Sequence, residues 1–305
     1  MSDSGEGAPI APGGTEEQRQ ALFVASNRLP VTLSRSRGQF TFKASSGGLA
    51  TAMAGLPGGR FTWIGWPGME VRPDEQDHVT ERLREELGAL PVYLSRGQIE
   101  QYYNRFSNGV LWPLFHYLPD FTDFDLEGWS HYEEVNRRFA ERIDEEAPYG
   151  AFVWVQDYHL MLVPKMLRDR RPDLKIAIFL HIPFPSSEVY RLLPVRAEIL
   201  EGLLGADVVG FHTYDYARHF LSACQRILGC DHQPRHVIWN GRIVGVAVNP
   251  IGIDLEKFEK NAEAPATHRE LKALEERMGG RKVVLGVDRL DYSKGLRHKI
   301  RAFRR

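Results

Sequence analysis

Arg289 and Lys294 stand five residues apart, just past the apolar run Lys282-Val283-Val284-Leu285-Gly286-Val287-Asp288. Fixed positive charges at the carboxyl end of a buried strand suit a diphosphate. Parallel α/β sheets bind ligands at that edge, and Arg and Lys are the usual phosphate partners. Polar residues follow other apolar runs in the same way: Arg28 follows residues 22–26, Asp157 and His159 follow 152–155, and His181 follows 176–180. At a strand's carboxyl edge Asp157 can accept hydrogen bonds from sugar hydroxyls, or it can cap the next helix. Asp157 and His159 could also ligate a metal, but no third ligand is evident. An isolated histidine is more often structural. Pro183 and Pro185 fix the loop after His181, which favours a function for that ring.

Two further segments carry chemistry. Gly47-Gly48 precedes a helix-prone stretch. Glycines there let the backbone approach a ligand, and free N–H groups at a helix start favour anions. The same pair also reads as an ordinary turn. It is not G-x-G-x-x-G, which weighs against a nicotinamide cofactor. Residues 101–113 are aromatic and polar at once, with Tyr102, Tyr103, Asn104, Asn108 and Trp112. Sugar rings lay their C–H faces on aromatic side chains while amides and hydroxyls read their oxygens. Tyr102, Phe106 and Trp112 also read as core, and Phe106 is assigned there.

The elements that position these residues alternate. Short apolar runs at 22–26, 61–66, 152–155, 176–180 and 208–211 read as strands, the last three fully buried. Helical patterns cover 74–87, 132–143, 161–170, 188–204 and 214–228. Such alternation implies right-handed βαβ units and a doubly wound parallel sheet of Rossmann-like α/β class. Asn240-Gly241 between apolar arms predicts a hairpin, placed as an antiparallel appendage. A first domain over 21–255 and an incomplete second domain over 256–305 follow, after a disordered tail at 1–20. The strand at 282–288 would open that second domain, and only eleven residues follow Lys294. The sequence thus reads as part of a larger machine, inactive or nearly so alone.

The 305 residues are 43% hydrophobic and 26% charged, with a formal net charge of −1. This is ordinary globular composition, with no global field to recruit a polyanion. No nucleic-acid module is present. The basic residues at 294–305 read as a solvated helix face. Two cysteines six apart, Cys224 and Cys230, fit neither a disulfide framework nor a standard zinc pattern, and point to reduced thiols in the cytoplasm. No apolar run approaches the roughly 18 residues of a membrane span, and the N-terminus lacks a secretory pattern.

Together the segments Ser26-Asn27-Arg28-Leu29-Pro30, Trp63-Ile64-Gly65-Trp66-Pro67-Gly68, Tyr102-Tyr103-Asn104-Arg105-Phe106-Ser107-Asn108, Leu111-Trp112-Pro113-Leu114-Phe115-His116-Tyr117, Asp157-Tyr158-His159-Leu160, His181-Ile182-Pro183-Phe184-Pro185 and Asp288-Arg289-Leu290-Asp291-Tyr292-Ser293-Lys294-Gly295 closely resemble one family. It is the trehalose-6-phosphate synthases of glycosyltransferase family 20, retaining glucosyltransferases of the two-Rossmann-domain GT-B architecture. The resemblance implies UDP-glucose as donor and glucose 6-phosphate as acceptor, with no cofactor and no essential metal. It implies that Arg28 contacts the acceptor phosphate, that Tyr103 and Asp157 contact the acceptor sugar, and that Trp66 and Trp112 shape that pocket. Gly47 and Gly48 would approach the donor diphosphate, His181 would orient the transferred glucose, and Arg289 and Lys294 would neutralise the departing UDP. His181, Asp157, Arg289 and Lys294 form the implied catalytic set. The family's second domain extends beyond the equivalent of Arg305. A non-catalytic sugar-phosphate-binding or regulatory subunit, and a transferase with another acceptor such as glycerol 3-phosphate, are the alternatives. The oligomeric state is open, with a homo-oligomer compatible.

Overall fold

A computed structural model describes residues 21–36, 39–44 and 61–304. The expected tail at 1–20 and the Gly47-Gly48 turn lie outside these. Among the described residues, one nine-stranded sheet carries the architecture. It contains β1 (Leu22–Arg28), β4 (Thr62–Trp66), β5 (Ala89–Pro91), β6 (Phe152–Gln156), β7 (Lys175–Leu180), β8 (Val208–Phe211), β9 (His232–Gln233), β10 (His236–Trp239) and β11 (Arg242–Val248). Strands β2 (Val31–Ser36) and β3 (Gln39–Ala44) form a separate antiparallel hairpin.

The sheet order is β5-β4-β1-β6-β7-β8-β11-β10-β9, parallel from β5 through β11. The order runs outward in opposite directions from β1 and β6. This is the doubly wound Rossmann-like pattern, and its switch point is the gap between those two strands. The register is tight: Val24 lies opposite Trp63 on one side and Trp154 on the other.

Strands β1, β4, β6, β7 and β8 are mostly buried and read as apolar runs, whereas β9 to β11 are partly exposed. On β1, Phe23 and Ala25 join the larger core cluster while Val24 points into the smaller one. Helix α1 (Pro73–Leu87) closes the smaller side with Val79 and Leu83, and ends at Gly88 in the left-handed region, φ 60°. Helix α2 (Trp129–Glu146) covers the larger side with Tyr132, Val135, Phe139 and Ile143. These recur at helical spacing. Helices α3 (Val163–Arg170), α4 (Arg196–Leu204) and α5 (Tyr214–Ala223) follow β6, β7 and β8 in turn.

Several expectations change. The helix at 188–204 is split into Ser187–Tyr190 and α4, because Pro194 cannot donate to a helical ladder. Asn240 and Gly241 both have positive φ, 47° and 75°, as a type I′ turn requires. Yet the hairpin is no appendage: β11 pairs parallel with β8 and extends the main sheet. Residues 282–288 form no strand. Val283, Val284, Leu285 and Val287 are exposed, and no described strand supplies the backbone partners a ladder needs. Helices α6 (Leu255–Ala262), α7 (Pro265–Met278) and α8 (Leu296–Phe303) likewise bury none of their residues.

Gly65 permits the closest strand approach at the ligand edge. A Cβ there would lie 2.8 Å from the Arg28 carbonyl carbon and 2.8 Å from the Leu29 nitrogen. Both are backbone atoms and cannot swing aside. Gly65→Ala is expected to destabilise the fold by about 1–3 kcal/mol, the usual range for overpacking. Chemical denaturation checks this, and an unchanged midpoint contradicts the packing.

Candidate active site

The carboxyl ends of β4, β1, β6, β7 and β8 lie side by side and end in Trp66, Arg28, Gln156-Asp157, His181 and His212. Arg28 is exposed and its guanidinium carbon lies 4.8 Å from the Trp66 ring centre and 5.8 Å from that of Tyr103. Such cation–π contacts fix a guanidinium while leaving its donors free. Tyr103 comes from a 13-residue π-type helix, Ile99–Leu111, a rare conformation frequent at functional sites. It stacks on His159, centres 5.6 Å apart and planes within 14°.

The ring contacts continue across the site. His159 touches Tyr158, Tyr158 lies 5.7 Å from Trp112, and the Arg289 guanidinium sits 5.7 Å over Trp112. His116 packs on Trp112 at 4.0 Å and lies within the fields of Lys294, Asp291 and Arg289. Phe121 and Tyr292 stack at 5.1 Å and fasten the Arg289–Lys294 loop to the same side. Arg28, Trp66, Tyr103, Asp157, His181, Trp112 and Arg289 are therefore one contiguous cluster, with Lys294 at its border. Gly47 and Gly48 lie outside the described residues.

Asp157 has φ 68° and ψ 174°, a region nearly reserved for glycine. Holding a non-glycine there costs about 1–3 kcal/mol and is characteristic of functional positions. The side chain does not cap the following turn. Its carboxylate accepts the His181 backbone N–H at 3.0 Å, while the Asp157 N–H donates to the Phe179 carbonyl at 2.8 Å. The residue is half-buried. Burial pushes its carboxyl up to about 6, against opposing hydrogen bonds from the His181, Tyr158 and Ile182 backbones.

The imidazoles at the edge are kept neutral. Burial lowers His181 to about 4, helped by His212, and lowers His159 to about 3, helped by the Arg28 charge. Burial also lowers His116 and His212. The positive charge of the site thus resides on Arg28, Arg289 and Lys294. Among the described residues, no group of three or more His, Cys, Asp or Glu could hold a metal ion.

Buried hydroxyls and amides pin the site's loops to the helices. Tyr102 donates to Asn27 Oδ1 at 3.0 Å, next to Arg28. The Tyr132 hydroxyl donates to the Tyr158 carbonyl at 2.6 Å and accepts the Met161 N–H at 3.1 Å. Asn136 donates to the His159 carbonyl at 3.0 Å and accepts from the Leu162 N–H. Sequence reasoning missed these pins, since a Tyr or Asn at a helical core position carries no local sign of its partner. It also missed His212, which directly follows the buried strand β8 as His181 follows β7, so that signal was present.

The Asp157 carboxyl is expected to titrate near pH 6, followed by side-chain carbon NMR. Its folded pKa lies above its unfolded one, so between about pH 4 and 6 the native state holds more protons than the unfolded state. This group therefore makes the fold less stable as pH rises through that window, and Asp157→Asn should remove that loss. A carboxyl titrating near pH 4 contradicts the burial.

Comparisons with known proteins give the chain's family and fold. The Glycosyltransferase family 20 model matches residues 20–305. The chain is 49% identical over 309 aligned residues to the alpha,alpha-trehalose-phosphate synthase [UDP-forming] of Schizosaccharomyces pombe, covering 99% of this chain and 60% of that protein. A trehalose-6-phosphate protein from E. coli, solved bound with UDP-2-fluoro glucose, superposes with a TM-score of 0.78 at 30% identity, over 93% of this chain and 60% of that one. A Burkholderia xenovorans alpha,alpha-trehalose-phosphate synthase (UDP-forming), solved in complex with glucose-6-phosphate, gives 0.77 at 28% identity, over 93% and 61%. This chain spans about 60% of the length of these relatives. With this GT-B-like parallel sheet and a family match over nearly its whole length, the chain belongs to glycosyltransferase family 20.

Proposed function

We propose that this chain supplies the acceptor side, and the opening of the donor side, of a glucosyltransferase. The enzyme moves glucose from UDP-glucose to glucose 6-phosphate with retention, giving α,α-trehalose 6-phosphate and UDP. The observation that carries this is the contiguous cluster from Arg28 to Arg289 at the sheet's switch point. Residues 21–255 act as the acceptor-binding domain and 256–305 as the start of the nucleotide-sugar-binding domain. Free, buried Cys224 and Cys230 suit a cytoplasmic setting, and no helix among the described residues is long and apolar enough to cross a membrane.

In this reading Arg28, fixed against Trp66 and Tyr103, takes the acceptor phosphate. Tyr103 contacts the hexose, Trp66 and Trp112 shape the pocket around it, and Asp157 accepts from its hydroxyls. The neutral His181 hydrogen-bonds the transferred glucose. The acceptor hydroxyl attacks the anomeric carbon from the side the UDP leaves, and its proton passes to the departing phosphate oxygen. One C–O bond forms as another breaks, and no protein nucleophile takes part. Charge builds on the leaving diphosphate, and Arg289 and Lys294 stabilise it where it develops.

UDP release from UDP-glucose and glucose 6-phosphate tests the proposal, using this sequence extended by the C-terminal portion its relatives carry. Turnover is expected. Arg289→Ala should lower kcat about 10²–10³-fold, the usual loss for one transition-state donor. An extended form without turnover, or an Arg289→Ala variant at full rate, contradicts the assignment.

A further inference from the structure

Gln156 is an odd residue for the core. It ends β6 and is 1% exposed, yet its amide makes a single hydrogen bond among the described residues. That bond joins Oε1 to the His181 ring nitrogen Nε2 at 2.9 Å. The other end, Nε2 of the amide, is buried with no partner there. An unpaired buried amide costs stability that an apolar side chain of similar size would not. The residue is therefore not placed for the sake of the core.

What the amide does is hold a ring. His181 is fixed on four sides. Asp157, the neighbour of Gln156, takes its backbone N–H at 3.0 Å. Phe179 packs at 4.8 Å and His212 meets the ring edge to face at 5.5 Å. Gln156 completes the clamp at Nε2. Two consecutive residues at one strand end thus fix both the backbone and the ring of the residue ending the next strand. A neutral imidazole has one N–H and one lone pair, and the partner of one nitrogen decides the state of the other.

We infer that Gln156 is a positioning residue, whose amide oxygen keeps the His181 proton on Nε2 and so leaves Nδ1 as the acceptor presented to a ligand hydroxyl. No described residue pairs with Nδ1, so a hydroxyl donor can use it. An imidazole with the opposite tautomer would present a donor instead, and would read a hydroxyl oxygen rather than its proton. The tautomer does not rest on the glucosyl-transfer reading, whereas the sugar as the source of the hydroxyl does.

Side-chain nitrogen NMR of the histidines in the 305-residue chain tests this without any turnover assay. The wild type should show His181 as one neutral tautomer at pH 7, protonated on Nε2. Gln156→Met, apolar and close in volume, should convert that signal to a mixture of tautomers while the backbone amide spectrum stays folded. Gln156→Glu should keep the proton on Nε2 and raise the His181 titration, since a carboxylate favours the imidazolium. His212 is the ionisable group against the ring and Asp157 the one on the His181 backbone N–H, and both are unchanged in these variants. Nδ1 protonation in the wild type overturns the inference, as does an unaltered tautomer in a folded Gln156→Met. If Gln156→Met does not fold, the wild-type tautomer and the Gln156→Glu shift still decide it.

Discussion

Strand spacing governs this site. Neighbouring strands in a sheet lie roughly 4.8 Å apart, and β1, β6, β7 and β8 are consecutive neighbours. The residues at their carboxyl ends must then form a row of similar pitch. Arg28, Asp157, His181 and His212 form that row, spanning roughly 14 Å. Backbone hydrogen bonding, not side-chain chance, sets those spacings. Gly65 serves the same constraint from β4, by letting that strand close against the end of β1.

Charge is then distributed by burial. Four imidazoles stand at or near the row, and desolvation holds each below its ordinary pKa. Uncharged rings can donate or accept selectively. Cationic ones would add positive charge at positions where the chain already has Arg28, Arg289 and Lys294. The strained backbone of Asp157 belongs to the same economy of placement. Its φ of 68° accompanies a carboxylate that accepts the His181 backbone N–H at 3.0 Å.

Much of this was legible in the residues, for a definite reason. Strands buried on both faces lose their alternation and read as solid apolar runs, so β6, β7 and β8 announced themselves. The β2–β3 hairpin was overlooked although Val31, Leu33, Phe40 and Phe42 alternate with polar neighbours, which is the signature of a half-buried strand. Residues 282–288 have strand composition, but a ladder is a property of two segments. Pro194 was visible and should have divided the 188–204 helix. The π-type winding at Ile99–Leu111 and the positive φ of Asp157 have no local sequence signal, because tertiary contacts impose them. Motif order named Arg28, Asp157, His181 and Arg289, which the fold brings into one cluster. Only coordinates could show the rings of Trp66, Tyr103, His159, Tyr158 and Trp112 bridging between Arg28 and Arg289.

Backbone amide NMR during a glucose 6-phosphate titration tests the central claim most directly, because it reports where the ligand touches without requiring catalysis. The account predicts that amides at 27–29, 103–112, 157–160 and 181–182 shift together with one saturation curve. Shifts confined to another face of the sheet, or separate curves for β1 and β6, would contradict a single site built at the switch point.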